Sequence, residues 1–284
     1  MYDWLTHRAA ATPDDLALID TDTDRRWSYS GLDAAVDETA GRLAALGIEP
    51  GDHIGMLMST QLLSVCLLHA AQRLGLRLVP LNTRLTAAEL ADQISYTDLS
   101  LVVCGTDTEQ LAVESVSTGN SGWKVPIASV DDPQWEDVES FLAVEPEAVD
   151  PVDWEFDDPQ LMVFTSGSTG QPKAVILTMG NLLASATASG FRLGIDPDDR
   201  WLLTLAFSHV GGLAPVFRST LSGPAVVLPS SLDPGSLPAH IDSHDVPVVS
   251  LLPPMLSSML ESRAPLPAPL PAVLPVCRPL PHPP

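Results

Sequence analysis

Lysine is almost absent from this 284-residue sequence, which contains only Lys124 and Lys173. Lysine and arginine together number 14 against 36 aspartates and glutamates, so the formal net charge is −22. A chain this acidic repels phosphodiester backbones, which excludes nucleic acid as a partner. Because the acidic residues are spread along the whole chain, the composition favours a salt-adapted cytoplasmic protein over an acidic protein of ordinary salt conditions.

Cysteine and long apolar runs are also scarce. The three cysteines, Cys66, Cys104 and Cys277, lie far apart without a C-x-x-C pair, so neither a disulfide framework nor a zinc site is predicted. The first two stand in apolar surroundings typical of buried thiols. The N-terminus lacks a basic segment followed by an apolar one, and no window offers about 18 uninterrupted apolar residues. The sequence therefore predicts no membrane span and a cytoplasmic location, and it sets no oligomeric state.

Helical and strand patterns alternate over residues 1–130, which predicts a first α/β subdomain with a parallel or mixed sheet. Ser30 is expected to cap a helix whose apolar face carries Leu32, Val36, Ala40 and Leu43. Strands are expected at residues 53–58, 76–81 and 99–104, with a helix at 60–74 between the first two. Thr86 and Glu89 have the spacing of a capping box at the start of the next helix.

Residues 131–158 carry twelve acidic residues and no basic one, and prolines interrupt them. This composition predicts an exposed acidic connection rather than a packed element. A second subdomain is expected over residues 159–262. Its predicted strands are at 202–205, 225–228 and 246–251, and its predicted helices at 181–190 and 253–262.

The last residues differ sharply in composition from the others. Residues 262–284 contain no aspartate or glutamate but nine of the 27 prolines. Prolines at 265, 267, 269 and 271 oppose both helix and sheet, so residues 263–284 are predicted to form an unstructured tail. A frameshift in GC-rich coding DNA would produce such a tail, and a natural proline-rich segment that docks on another protein is the alternative.

The most informative stretch is Thr165–Lys173, in which hydroxyls, glycines and a lysine stand between the apolar runs 161–164 and 174–177. Glycines let backbone N–H groups approach phosphate oxygens, hydroxyls donate further hydrogen bonds and lysine supplies charge. The stretch is expected to join two strands as a phosphate-binding loop. It is not a Walker A motif, because proline precedes the lysine and alanine follows it. A serine- and glycine-rich turn without a ligand is the alternative.

The order T-S-G-S-T-G-x-P-K resembles the signature of the AMP-forming adenylating enzymes. Three further segments are similar to motifs of that family: Pro80–Leu85 (P-L-N-x-R-L), Phe207–Leu213 and Leu251–Leu260. The resemblance covers roughly residues 5–262. It implies an α/β fold in which mixed sheets are flanked by helices, namely the first part of the family's large N-terminal domain, with the small C-terminal domain absent.

The resemblance also implies the site residues and the ligands. The β- and γ-phosphates of ATP would be held by seven residues of the loop: Thr165, Ser166, Gly167, Ser168, Thr169, Gly170 and Lys173. Thr165 or Ser166 would contact Mg²⁺. His209 would lie where the adenylate meets the acyl pocket, whose wall Phe207, Gly211 and Gly212 would shape. The expected partners are therefore a small-molecule carboxylate, ATP and coenzyme A.

The implied reaction joins a carboxylic acid to ATP as an acyl adenylate and then to a thiol. The phosphate loop comes early in the chain, as in the compact o-succinylbenzoate-CoA ligases of menaquinone synthesis, and a fatty acid-CoA ligase is the alternative. The family's Y-G-x-T-E and T-G-D motifs and its terminal-domain lysine are missing, and with them the carboxylate ligand of Mg²⁺. Impaired activity is therefore expected, and a non-catalytic fragment that binds a nucleotide or a partner is the competing interpretation.

Overall fold

The computed structural model describes residues 3–118, 125–165, 173–229, 231–233, 235–261 and 272–275. Its helices are α1 (Trp4–Ala11), α2 (Tyr29–Ala45), α3 (Leu62–Leu74), α4 (Ala87–Thr97), α5 (Glu109–Thr118), α6 (Met179–Leu193), α7 (Val210–Ser222), α8 (Leu237–Ser243) and α9 (Pro253–Glu261). Its strands are β1 (Leu16–Asp20), β2 (Arg25–Ser28), β3 (His53–Leu57), β4 (Arg77–Pro80), β5 (Leu101–Cys104), β6 (Ile127–Ser129), β7 (Val138–Ser140), β8 (Pro159–Thr165), β9 (Lys173–Thr178), β10 (Arg200–Leu202), β11 (Ala225–Leu228), β12 (Val248–Leu251) and β13 (Ala272–Pro275).

The described strands form two mixed sheets, which confirms the predicted fold class. One sheet has the order β7-β6-β5-β3-β4-β8-β9 and the other the order β13-β12-β10-β11-β1-β2. Each is parallel except at one edge, where β9 runs antiparallel to β8 and β2 runs antiparallel to β1. Strands β1 and β2 thus join strands from the second half of the chain, whereas β8 and β9 join those from the first half. The predicted boundary at residues 131–158 does not coincide with the division between the sheets.

Five layers result from the packing of helices on these sheets. The largest apolar cluster lies between the two sheets, where α1, α2, α3, α6 and α7 bury residues such as Leu5, Val36 and Phe217. A second cluster packs α4 and α5 on the outer face of the seven-stranded sheet. A third packs α8 and α9 on the outer face of the other sheet. Parallel sheets covered on both faces need such helical layers, and the alternating sequence pattern supplies them.

Local sequence signals set several element boundaries. Thr86 and Glu89 form the predicted capping box of α4, with the Glu89 carboxylate accepting from the Thr86 N–H at 2.9 Å. Leu32 and Val36 lie buried on α2 as predicted. Its cap is Ser28 rather than Ser30, because the Ser28 hydroxyl accepts the Gly31 N–H at 3.1 Å. The Ser30 hydroxyl instead donates to the Pro13 carbonyl at 2.8 Å.

Two stretches predicted to lack packed elements contain short ones. Within the acidic residues 131–158, β7 pairs with β6, and Phe141 and Trp154 are buried although the carboxylates around them are exposed. In the proline-rich tail, β13 pairs in parallel with β12. Three residues without proline, 272–274, leave backbone N–H groups available for that pairing. The other tail residues, 262–271 and 276–284, lie outside the described part of the chain.

A buried ion network ties the first three helices together. Arg73 on α3 is 1% exposed and donates from Nε and Nη2 to the Asp3 carboxylate at 2.8 and 2.6 Å. Nη2 also contacts Asp33 at 2.5 Å, and Nη1 contacts Asp37 at 2.5 Å. Burial alone would lower the pKa of Arg73, but the Asp3 and Asp33 carboxylates outweigh it and raise that pKa above its ordinary value. The guanidinium therefore stays charged and fixes the position of Asp3, the cap of α1.

Candidate functional site

The predicted phosphate loop connects two paired strands. Strands β8 and β9 are antiparallel neighbours, and Thr165 faces Lys173 where the strands end. The Thr165 hydroxyl lies 3.4 Å from the Lys173 carbonyl, and both side chains are exposed at the mouth of the hairpin. The intervening predicted residues, Ser166, Gly167, Ser168, Thr169 and Gly170, lie outside the described residues. The structure therefore places the two ends of the loop.

The loop of the hairpin lies at the carboxyl ends of the parallel strands in the seven-stranded sheet. Strand β8 runs parallel to β4, so the loop that follows β8 emerges where β3, β4 and β5 also end. Ligands of open α/β sheets bind outside the carboxyl ends of the strands, so this is a suitable edge for a phosphate site. After the loop, α6 begins at Met179, two residues before the predicted start, because the Thr178 hydroxyl accepts the Asn181 N–H at 3.3 Å.

The second predicted motif forms the start of α7. His209 is the N-cap residue of this helix, and its side chain is exposed and makes no capping hydrogen bond. Phe207 is buried in the central apolar cluster. Gly212 packs directly on the preceding turn, since a Cβ there would lie 2.4 Å from the Ala206 carbonyl oxygen. Gly211 is half-buried beside it.

A cavity of about 220 Å³ lies between the hairpin, α6 and α7. Its walls are mostly apolar, with a few polar side chains among them. The lining residues are Leu161, Leu177, Asn181, Leu182, Ser185, Ala186, Val210, Leu213, Ala214, Phe217 and Arg218. Helix α7 thus borders the cavity, but through Val210, Leu213 and the turns after them rather than through Phe207, His209, Gly211 or Gly212.

Arg218 is the charged residue in the wall of this cavity. Its guanidinium carbon lies 5.5 Å from the centre of the Trp201 ring. Its Nε is buried and has no hydrogen-bond partner among the residues that the structure describes. Burial lowers the pKa of Arg218, as desolvation does for a cation without a countercharge. A cation with an unused donor in an apolar cavity is suited to bind an anionic group of a ligand.

Metal ligands are sparse in the described structure. Within residues 3–118, 125–165 and the later described ranges, no group of three histidine, cysteine, aspartate or glutamate side chains could hold a metal ion. Cys66 and Cys104 are buried free thiols, as predicted, and burial raises the pKa of each to about 12. The Thr165 hydroxyl is an oxygen donor of the kind that Mg²⁺ accepts, so it fits a Mg²⁺ ion held mainly by phosphates and water.

Sequence reasoning missed the cavity because its residues come from four separate elements. A signal for Arg218 does exist, since it is the only lysine or arginine between residues 201 and 262. It follows an apolar stretch of α7, where a lone cation is costly unless it has a role. The scarcity of lysine and arginine in this chain could therefore have identified Arg218 as a candidate site residue.

The model of the AMP-binding enzyme family matches residues 5–277 of this chain. The 2-succinylbenzoate–CoA ligase of Bacillus pumilus (strain SAFR-032) is 32% identical over 254 residues, which are 89% of this chain and 49% of the relative. The ligase of the same name from Bacillus licheniformis is 33% identical over 89% of this chain and 50% of the relative. The chain thus spans about half the length of the curated relatives it matches.

Solved structures agree with these relatives. The o-succinylbenzoate CoA synthetase of Bacillus subtilis, in complex with the acyl-adenylate intermediate OSB-AMP, superposes with a TM-score of 0.85 and 28% identity over 99% of this chain and 69% of that chain. The same synthetase is also known in complex with ATP and a magnesium ion. The inhibitor-bound N-terminal domain of FACL13 from Mycobacterium tuberculosis gives a TM-score of 0.81 and 27% identity over 95% of this chain and 68% of that chain.

Proposed function

Because the chain belongs to the AMP-binding enzyme family, we propose that it supplies the phosphate loop and the acyl pocket of an AMP-forming acid–thiol ligase acting on 2-succinylbenzoate. A carboxylate oxygen of the acid attacks the α-phosphorus of ATP, the bond to the bridging oxygen breaks and pyrophosphate leaves. The thiol of coenzyme A then attacks the acyl carbon, its proton passes to solvent and AMP leaves. The product, 2-succinylbenzoyl-CoA, would then be used in menaquinone synthesis.

The hairpin residues hold the polyphosphate in this proposal. Backbone and hydroxyl donors of Thr165, Ser166, Gly167, Ser168, Thr169 and Gly170 would bind the β- and γ-phosphates, with Lys173 supplying positive charge. Attack of one anion on another is slow unless charge is neutralised and the reactants are held in line. Bound Mg²⁺, with Thr165 or Ser166 near it, would neutralise further phosphate charge.

The position of Arg218 in the cavity wall is the main reason for proposing 2-succinylbenzoate as the acid. 2-Succinylbenzoate has two carboxylates, of which one reacts with ATP and the other must be held elsewhere. The Arg218 guanidinium lines this cavity of about 220 Å³ and offers N–H donors for that second carboxylate, and its Nε has no partner among the described residues. The aromatic ring would lie against the apolar walls formed by α6 and α7. A monocarboxylate would leave this half-buried cation without a partner.

The size of the cavity supports a compact acid over a fatty acid. Pockets for drug-sized ligands are about 300–1,000 Å³, and this one is smaller at about 220 Å³. A long acyl chain would need the cavity to open between α6 and α7. His209, exposed at the start of α7, would lie where the adenylate meets the acid, as would the backbone near Phe207, Gly211 and Gly212. No general base is required, because a carboxylate is already ionised near pH 7.

The cellular setting is also part of the proposal. The net charge of −22 suits a salt-adapted cytoplasm, where dense carboxylates keep a protein hydrated. No helix in the described part of the chain combines the length and the apolar character needed to cross a bilayer.

Binding of ATP with Mg²⁺, and of pyrophosphate, tests the role of the hairpin. Replacing Lys173 by alanine should weaken both affinities at least tenfold, because a charge-assisted phosphate contact contributes about 1.5–3 kcal/mol. Arg192→Ala is the matched control, since Arg192 is an exposed cation at the end of α6. Equal losses in the two variants would show general charge attraction and refute the assignment of Lys173. ATP binding without any acyl adenylate formed from 2-succinylbenzoate would favour a non-catalytic nucleotide-binding chain.

A further inference from the structure

A second cavity, of about 330 Å³ and with polar walls, lies away from the hairpin and the acyl pocket. It is lined by Thr106, Asp107, Glu109, Gln110, Gln134 and Trp135. Two of these are carboxylates, none is a cation and one presents an indole ring that is 44% exposed. These residues come from the segments that follow β5 and β6, so the cavity opens at the carboxyl edge of the seven-stranded sheet.

The strand order places this cavity beside a reversal in the chain connections, which lies between β3 and β5. Strands β4, β3, β5, β6 and β7 are parallel neighbours, and the connections run to one side from β3 and to the other side from β5. Such a reversal opens a crevice at the carboxyl ends of the strands, where ligands of α/β proteins bind. Ser59, which follows β3, reaches the Asp107 carboxylate across this crevice at 3.5 Å. Two strands separate β5 from β8, so the cavity lies about 14 Å from the phosphate hairpin.

Glu109 carries the argument for a ligand. The side chain is 2% exposed, and its Oε1 accepts the Gln134 N–H at 2.7 Å. Its Oε2 is buried and finds no hydrogen-bond donor within the described ranges of the chain. A buried carboxylate oxygen without a donor is costly, and the start of α5 offsets that cost only in part. The pKa of the neighbouring Cys104 is raised to about 12, mainly by burial and secondly by the negative charge of Glu109.

We propose that this cavity binds a small organic cation with a primary ammonium group. The ammonium would donate to the Asp107 carboxylate and, after a small turn of the Glu109 side chain toward the cavity, to Glu109 Oε2, and the exposed face of Trp135 would cover its alkyl part and add a cation–π contact. A divalent metal ion is a poorer match, since no set of three acidic, histidine or cysteine ligands occurs in the described residues. Gln110 is already engaged, because its amide donates to Glu114 at 2.8 Å.

Calorimetric titration of the full chain with putrescine tests this site, in 0.5 M NaCl to screen the general charge of the protein. One saturable site is expected, and the uncharged isostere butane-1,4-diol should not bind. Glu109→Gln should weaken putrescine binding at least tenfold, because the glutamine oxygen still accepts the Gln134 N–H but no longer pairs with a cation. Trp135→Ala should also weaken it, and since Trp135 is half exposed this variant keeps its fold.

Glu114→Gln is the matched control, because Glu114 is exposed on the same helix and the charge change is the same. Unchanged affinity in this variant, together with the loss in Glu109→Gln, supports the proposal. Four outcomes overturn it: no saturable binding of putrescine, full affinity in Glu109→Gln, equal weakening by the Glu109 and Glu114 variants, or equal binding of butane-1,4-diol. None of these depends on Lys173, so the proposed ligase function stands or fails separately.

Discussion

Removal of the Arg73 side-chain charge should destabilise the protein far more than removal of any single exposed charge. In Arg73→Met, the Asp3 carboxylate, which is 1% exposed, would lose its counterion without gaining access to water. Breaking a buried ion pair from one side costs about 3–5 kcal/mol. The other two carboxylates add little, because Asp37 is 62% exposed and Asp33 is partly exposed and both can hydrate.

Thermal unfolding followed by circular dichroism at high salt measures this cost. In a domain of this size each kcal/mol lowers the melting temperature by about 2–4 °C, so Arg73→Met should melt about 6–20 °C lower. Asp37→Asn, which leaves the pair with Asp3 intact, should change it by less than about 4 °C. The double variant Asp3→Asn/Arg73→Met should melt above Arg73→Met, because asparagine still caps α1 and no buried charge remains.

The reasoning fails if Arg73→Met and Asp37→Asn lower the melting temperature equally. It fails as well if the double variant is no more stable than Arg73→Met, since the cost would then come from lost packing rather than from the unpaired Asp3.

Two further predictions concern pH and packing. His69 is fully buried, and burial lowers its pKa below the ordinary value, so the unfolded chain takes up a proton more readily than the folded one. Stability should therefore be full above about pH 6.5 and fall by up to about 1.4 kcal/mol per pH unit below it, and His69→Gln should flatten this slope in melting experiments. Gly212→Ala would place a Cβ 2.4 Å from the Ala206 carbonyl oxygen and should cost at least about 2 kcal/mol in denaturant titration. Gly31→Ala, whose Cβ meets nothing closer than 3.4 Å, should stabilise α2 by up to about 1 kcal/mol, and equal effects of the two changes would contradict the packing argument.

Local patterns in the sequence predicted much of the fold. The periodicity that places Leu32 and Val36 on one face of α2 depends only on residues a few positions apart, and so does the capping box at Thr86. The hairpin around Thr165 and Lys173 was likewise predicted from its flanking apolar runs. The sequence did not show that β1 pairs with β11, more than 200 residues away, because parallel pairing at that distance leaves no local signature.

The two cavities show why sites are harder to predict than elements. Arg218 and Glu109 lie on helices where their immediate neighbours give no sign of a ligand. Their significance comes from burial without a full set of partners, which depends on strands and helices that lie far apart in the sequence. Scarcity of basic residues could have identified Arg218, but Glu109 is one of 36 acidic residues and nothing in the sequence distinguishes it.

The most direct test of the proposed function compares the binding of 2-succinylbenzoate with that of 4-oxo-4-phenylbutanoate, which lacks the ring carboxylate, to the natural chain and to Arg218→Met. One charge-assisted contact contributes about 1.5–3 kcal/mol, so the natural chain should prefer the dicarboxylate by about 10–150-fold, and Arg218→Met should lose that preference while still binding the monocarboxylate. A natural chain that binds the two acids equally, or an Arg218→Met variant that keeps the preference, would contradict the assignment of this cavity to 2-succinylbenzoate.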